Sequence, residues 1–261
     1  MKNMILVLLL FLFLLLTSSS QADRRYFGRS YMANTLPAKA FEFELWNTAR
    51  IGKAEGYYYR FQPRMEFEYG ITDRLTTSFY MNFNSQQIEN PTTSSKEFAF
   101  AGTAVEFRYR LTELGEYMVD PAVYFELTYA GSEIEYESKL ILSKRIGSII
   151  TALNITGEIG RDVIANKHET SFELTGGLGY DITPTFAASL EFKNHSNFNN
   201  IYGRKANSAL FIGPSINLLT DKFYFTVNFL AQVTGEPAVK SGLDLTGHEK
   251  YEIRTILGIE L

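Results

Sequence analysis

Lys193-Asn194-His195-Ser196-Asn197 sets a base beside a hydroxyl and polar side chains able to orient both, the raw material of nucleophilic acyl transfer. Adjacency works against that use. On an extended strand, His195 and Ser196 point to opposite faces and cannot share a proton. Parity with Glu191 and Lys193 puts His195 on a charged face, and a polar histidine at a strand end is the bland reading. His168, His195 and His248 are the three histidines of the chain, too far apart in sequence to give a ligand spacing, and there is no cysteine to offer a thiolate. Gly176-Gly177-Leu178-Gly179 lies inside a strand pattern with no helix after it, so it is not read as a phosphate loop. No metal or other cofactor is expected.

The larger supply of chemistry is a set of charges that recur at every second position. Arg60, Arg64, Glu66 and Glu68 form one run, and Glu106, Arg108 and Arg110 another. Glu126, Glu135, Glu137 and Lys139 follow, then Glu158, Glu173, Glu191 and Lys193 with His195, and finally Glu252 and Arg254. Glu42 and Glu44 share the pattern. Each charge alternates with an apolar or aromatic residue, as Arg60, Glu66 and Glu68 do with Tyr59, Phe61, Met65, Phe67 and Tyr69. If the apolar faces meet lipid, the charged faces line a lumen in which acidic groups outnumber basic ones. One reading is a narrow path for small solutes with a mild preference for cations. The other is that Arg and Glu pair across the interior and close it, because a lone buried charge is very unfavourable.

These faces need strands to position them, and the chain supplies about twelve. The first lies around Phe41, Phe43 and Leu45, and the second runs from Tyr57 to Gly70. Pro63 lacks a ladder donor, so a bulge or gap is expected there. Phe98 and Phe100 are out of phase with Val105, Phe107 and Tyr109, which predicts a bulge near Gly102. Short turns such as Ile71-Thr72-Asp73-Arg74 alternate with long polar segments, Asn84 to Glu97, Gly160 to His168, Asn194 to Lys205 and Gly235 to Gly247. That beat, and an even strand count, are those of an antiparallel up-and-down transmembrane β-barrel. The expectation is one all-β barrel domain over residues 23–261.

Met1–Ala22 carries Lys2, an apolar run from Met4 to Leu16 and small residues at Ser20 and Ala22, the pattern of a cleaved signal peptide. The run is shorter than the roughly 20 residues a membrane-spanning helix needs. Lys2 is its one charge, so cleavage turns a formal net charge of −4 into −5. Nothing in that balance invites nucleic acid. The 21 Phe and 16 Tyr suit strands and interfacial girdles. A secreted β-sandwich shares this composition and would leave cells without detergent.

The terminal run Tyr251–Leu261 puts Tyr251, Ile253, Thr255, Leu257, Ile259 and Leu261 on one face and Glu252, Arg254, Gly258 and Glu260 on the other, with Ile256 the apolar exception. It resembles the C-terminal signal of bacterial outer-membrane barrels, which more often ends in Phe. Together with Glu68-Tyr69-Gly70-Ile71-Thr72-Asp73-Arg74-Leu75, Glu135 to Lys144, Phe192-Lys193-Asn194-His195 and Ala209 to Pro214, it resembles a group of small outer-membrane barrels described as transporters and similar to MetA-pathway of phenol degradation proteins. The resemblance implies the outer membrane of a Gram-negative bacterium and weakly implies transport of small, aromatic compounds. Outer-membrane lipid hydrolases are a further resemblance through His195 and Ser196. The expected partners are outer-membrane lipids, the barrel-assembly machinery acting on Tyr251–Leu261, and a small solute passed by a monomer. The first strand is the expected neighbour of the last, since closing the ring leaves no exposed edge in lipid.

Overall fold

The structure, a computed structural model, describes residues 25–201, 203–220 and 222–261. Met1–Ala22, read as a signal peptide, lies outside the described residues. Twelve antiparallel strands close into a barrel in which each strand pairs with its sequence neighbours. They are β1 (Phe41–Ile51), β2 (Tyr57–Thr72), β3 (Leu75–Asn90), β4 (Thr93–Arg110), β5 (Asp120–Ala130) and β6 (Glu133–Ile146). The second half comprises β7 (Ile149–Asp162), β8 (Lys167–Thr183), β9 (Phe186–Phe198), β10 (Lys205–Leu219), β11 (Phe223–Glu236) and β12 (Tyr251–Glu260). Among the described residues no helix is long and apolar enough to cross a membrane.

The ring closes as expected. β12 pairs with β1, with Phe43 opposite Ile259 and Leu45 opposite Leu257, so no edge is left to template another chain. Because the strand number is even, β1 begins and β12 ends at the same rim, here termed the inner end.

Burial is inverted relative to a water-soluble protein. Phe79, Val105, Phe107, Phe125, Leu127 and Ile216 are exposed on the outside, while Glu42, Glu44, Glu66, Glu68, Glu106 and Glu252 are wholly buried inside. Alternation at period two produces this arrangement, because one face of every strand points out and the other in. The bulge near Gly102 is present: Asn82 opposes Gly102 but Phe83 opposes Phe100, leaving Ala101 without a partner on β3. That one-residue slip brings Phe98 and Phe100 into phase with Val105 on the outer face, where both are exposed. At Pro63 the register holds. Pro63 stays opposite Asn47 on β1, and the β2–β3 ladder has a gap between Phe61 and Arg64 instead of a bulge.

One expectation is corrected. Asn194 to Lys205 is strand only as far as Phe198 and Gly235 to Gly247 is loop beyond Glu236, but the other two long polar loops are mostly strand: β3 runs on to Asn90 and β4 starts at Thr93, and β7 and β8 likewise extend to Asp162 and from Lys167. The apolar alternation fades there because neither face has lipid to meet, yet the backbone groups still pair with each other. The stretch before β1 also stays with the barrel. Residues 25–40 fold across the inner end of the lumen, with Arg25, Phe27, Tyr31, Ala33 and Leu36 buried.

Candidate functional site

The lumen has two storeys. The lower one, at the inner end, is filled by residues 25–37, and lumen side chains take the place of strand partners for their backbone. Glu191 accepts five hydrogen bonds, from the N–H groups of Gly28, Arg29 and Ser30, from Ser215 Oγ and from Asn228 Nδ2. Asn154 clamps Tyr31 from both sides, accepting from its N–H at 2.6 Å and donating to its carbonyl at 2.9 Å. Ser143 Oγ accepts from Ala33 N–H at 2.9 Å and Thr76 Oγ1 from Leu36 N–H at 2.8 Å. A buried N–H without an acceptor is costly, and these four strands supply the acceptors in turn.

Charge and packing complete the plug. Arg25 donates to Glu44 at 3.1 Å and to Glu68 at 3.0 Å, and Glu68 also takes Arg108 at 3.1 Å. Arg29 pairs with Glu252, which Lys193 also reaches. Tyr31 and Ala33 pack with Trp46, Ala122, Tyr124, Ile141, Tyr224 and Ile256, while Tyr26 and Phe27 pack with Ile150, Ala152 and Ala187. Phe27 has a seat because Gly177 has no side chain: a Cβ there would stand 2.5 Å from the Phe27 ring. The apolar exception on β12, Ile256, is thereby explained.

Above the plug is an open upper storey. A cavity of about 470 Å³ is lined by Arg29 and Tyr31 of the plug and by residues of most strands, and an adjoining one of about 260 Å³ shares Trp46, Arg60, Arg64, Glu126, Glu135 and Arg254 with it. Residues 237–250, between β11 and β12, fold back into the outer mouth. His248 and Glu249 from this segment line the larger cavity, and Glu249 pairs with Arg50 at 3.5 Å. The His248 ring meets His195 edge to face at 5.5 Å and lies 3.0 Å from Asn207 Oδ1. Burial, followed by the nearby His195, draws the His248 pKa down to about 4, against the pull of Glu249 and Asp244.

The charges expected in the lumen divide between the storeys. Arg60, Arg64, Glu126, Glu135, Glu137 and Lys139 line the upper cavity, as do Glu158, Glu173, Lys193, His195 and Arg254. Glu66, Glu68, Glu106, Arg108, Glu191 and Glu252 are buried in or beside the plug. Arg110 is at the inner rim, donating to Glu113 and to the Asp73 carbonyl, so it is no part of a path through the barrel. The carboxylate excess belongs to the lower storey, where Glu44, Glu68, Glu191 and Glu252 hold the plug. Around the larger cavity, Lys and Arg number seven and Glu six.

His195 has no serine to activate. Its ring nitrogens face Glu173 Oε2 at 3.2 Å and Asn197 Oδ1 at 3.0 Å, and Ser196 opposes Phe172 on the other side of the strand. Two of the three histidines do meet, His195 and His248, which their sequence separation gave no means to foresee. Arg25, Arg29, Tyr31, Trp46 and Arg50 were also missed as site residues. Arg50 was within reach of parity, since Glu42, Glu44, Trp46, Thr48 and Arg50 share one face of β1. The plug has a subtler signature: Ala122, Ile141, Ile150, Ala152 and Ala187 are apolar on lumen faces near the inner end, where only another apolar segment could cover them.

A closed twelve-stranded antiparallel barrel with an apolar exterior and a charged lumen is the architecture of an outer-membrane β-barrel. The chain belongs to the family described as a family of unknown function (DUF6662), whose pattern matches residues 19–261. No curated protein matches it in sequence. In fold it is similar to the COG4313 outer membrane channel from Pseudomonas putida F1, at 12% identity and a TM-score of 0.62, covering 88% of this chain and 98% of that one. The NanC porin is similar at 12% identity and a TM-score of 0.55, over 84% and 100% of the two chains. The KdgM porin is similar at 10% identity and a TM-score of 0.53, over 84% and 99%.

Proposed function

We propose that the protein is a monomeric channel for small polar solutes in the outer membrane of a Gram-negative bacterium, gated at its inner end by its own residues 25–37. One observation carries this reading. The plug is held by side-chain hydrogen bonds, ion pairs and packing, while every strand of the barrel already has both its partners. Removing the plug therefore breaks none of the ladder that keeps the barrel closed in lipid. The likeness to proteins described as porins and channels agrees with this use of the fold. So does the resemblance to MetA-pathway of phenol degradation proteins, although a lumen lined by charges favours polar solutes over unsubstituted aromatics. Export through a signal peptide, insertion into outer-membrane lipid and recognition of β12 by the barrel-assembly machinery belong to the same proposal.

A second reading, a closed structural barrel, draws on the depth of the plug's burial. Planar-bilayer recording separates the two. The full chain should give rare, small conductance steps. Glu191→Ala strips the acceptor from three plug N–H groups, each of which then costs about 1–3 kcal/mol if left unpaired, and it should conduct more often. Silence from both proteins, with the barrel intact on a gel, would leave the structural reading.

A further inference from the structure

Most of the charges that line the upper cavity are sorted by sign, Lys139 on β6 and Lys193 on β9 being the exceptions. Arg254 on β12, Arg50 on β1 and Arg60 and Arg64 on β2 occupy three adjacent strands. Glu126 on β5, Glu135 and Glu137 on β6, Glu158 on β7 and Glu173 on β8 occupy four adjacent strands across the ring. In a ring of twelve the strand opposite β1, the centre of the first group, is β7, which belongs to the second.

Several of these charges are held in place without being neutralised. Arg60 Nε donates to Asn84 Oδ1 at 2.7 Å, Arg64 Nε to Asn82 Oδ1 at 2.9 Å, and Arg254 to Thr48 Oγ1 at 2.9 Å and to the Gly28 carbonyl at 3.1 Å. All four acceptors are uncharged. Across the cavity Glu126 accepts from the Tyr124 hydroxyl and from Thr128 Oγ1, again neutral groups. Among the described residues no carboxylate stands within ion-pair distance of Arg60, Arg64 or Arg254, and no cation within that distance of Glu126, Glu135 or Glu158. Other lining charges have partners: Glu137 has Lys139, Glu173 has His195 and Arg50 has Glu249. Three cations and three carboxylates remain; the cations and Glu126 are oriented by neutral neighbours, and all six line the same open space.

A site of this kind discriminates by charge separation. Charges a few ångströms apart interact more strongly in a partly desolvated cavity than in water. A simple anion gains near the arginines and is repelled as it nears the glutamates; a simple cation meets the reverse. A molecule carrying both charges a few ångströms apart gains at both walls. It also supplies each wall with the counter-charge that an incompletely solvated ionic group otherwise lacks.

We infer that the upper cavity is a binding site for small zwitterions, taking a carboxylate against Arg60, Arg64 and Arg254 and an ammonium group against Glu126, Glu135 and Glu158. The inference uses the cavity of the channel reading and names its solute class, but it does not require that the solute pass the plug. Trp46, the single tryptophan of the chain, lines the cavity with the Arg254 guanidinium 5.2 Å and the Arg64 guanidinium 5.7 Å from its ring. Its fluorescence therefore reports occupancy.

The test titrates the full chain in detergent with glycine, β-alanine, γ-aminobutyrate and 5-aminovalerate, and with propionate and propylamine as single-charge controls, by Trp46 fluorescence and by calorimetry. At least one of the amino acids should bind about tenfold or more tightly than either control, the value of one charge-assisted hydrogen bond. Arg60→Gln and Glu135→Gln should each bring that amino acid to within a fewfold of the remaining single-charge control, with heat-modifiable gel mobility unchanged. Equal affinity for propionate or propylamine, the absence of saturable binding, or variants that bind as the parent does would each overturn the assignment. Bilayer recording on the same samples keeps the two proposals apart. Binding without conductance removes the channel and leaves the site; conductance without binding does the opposite.

Discussion

Glu191 shows how far one side chain's surroundings can change its meaning. On a strand pattern it is one more lumen charge; in the fold it is the acceptor for three successive plug N–H groups. Gly177 is a similar case. It lies in a glycine run with no phosphate chemistry, and its use is to leave room for the Phe27 ring. Gly177→Val should push Phe27 out of its seat at a cost of about 2 kcal/mol of lost apolar burial. Proteolysis of the N-terminal segment in detergent should speed up several-fold while the barrel band on a gel stays put. An unchanged proteolysis rate would mean that Phe27 does not anchor the plug.

Among the elements, the two that close the lumen differ in chemistry. The plug is held by arginine on carboxylate and by backbone N–H groups on carboxylate, amide and hydroxyl oxygens. The segment 237–250 at the outer mouth is held partly by His248, packed neutral between His195 and Asn207. With its folded pKa at about 4, below the ordinary 6.5, His248 binds a proton more readily when the segment is undocked. The docked state keeps its full stability above pH 6.5 and loses it as pH falls from there towards 4. Hydrogen exchange in residues 237–250 should therefore accelerate between pH 6.5 and 4 relative to the strands, after correction for the intrinsic rate. His248→Asn should flatten that dependence; a profile as steep as the parent's would assign the effect to another group, of which Asp244 and Glu249 are the nearest.

For the molecule as a whole, closure is the property on which the rest depends. Each of the residues Ile259 and Gly258 is paired on both sides, to Phe43 and Phe223 and to Glu44 and Tyr224. Deleting residues 259–261 removes one end of the seam between β1 and β12 and opens two edges whose backbone groups have no water to bond in lipid. The truncated chain should reach the outer membrane in much lower yield and run without heat-modifiable mobility. Normal insertion would show that the seam closes without its last residues.

Much of this architecture was legible in the chain itself. Alternation at period two determined the strands, their lipid and lumen faces and the slip near Gly102, because each depends only on which side of a pleat a residue falls, and the pairing of Tyr251–Glu260 with the first strand followed from the need to close the ring in lipid. The loops were less legible: β3 and β4 continue past the membrane on backbone pairing, which leaves no apolar trace. The plug was not legible, since residues 25–37 carry no period and their partners are Glu191, Asn154, Ser143 and Thr76, each far away in sequence. Parity could say that Arg60 and Glu135 both face inward. That they stand on opposite walls of one cavity follows from the order of strands around a closed ring, which is a property of the tertiary structure.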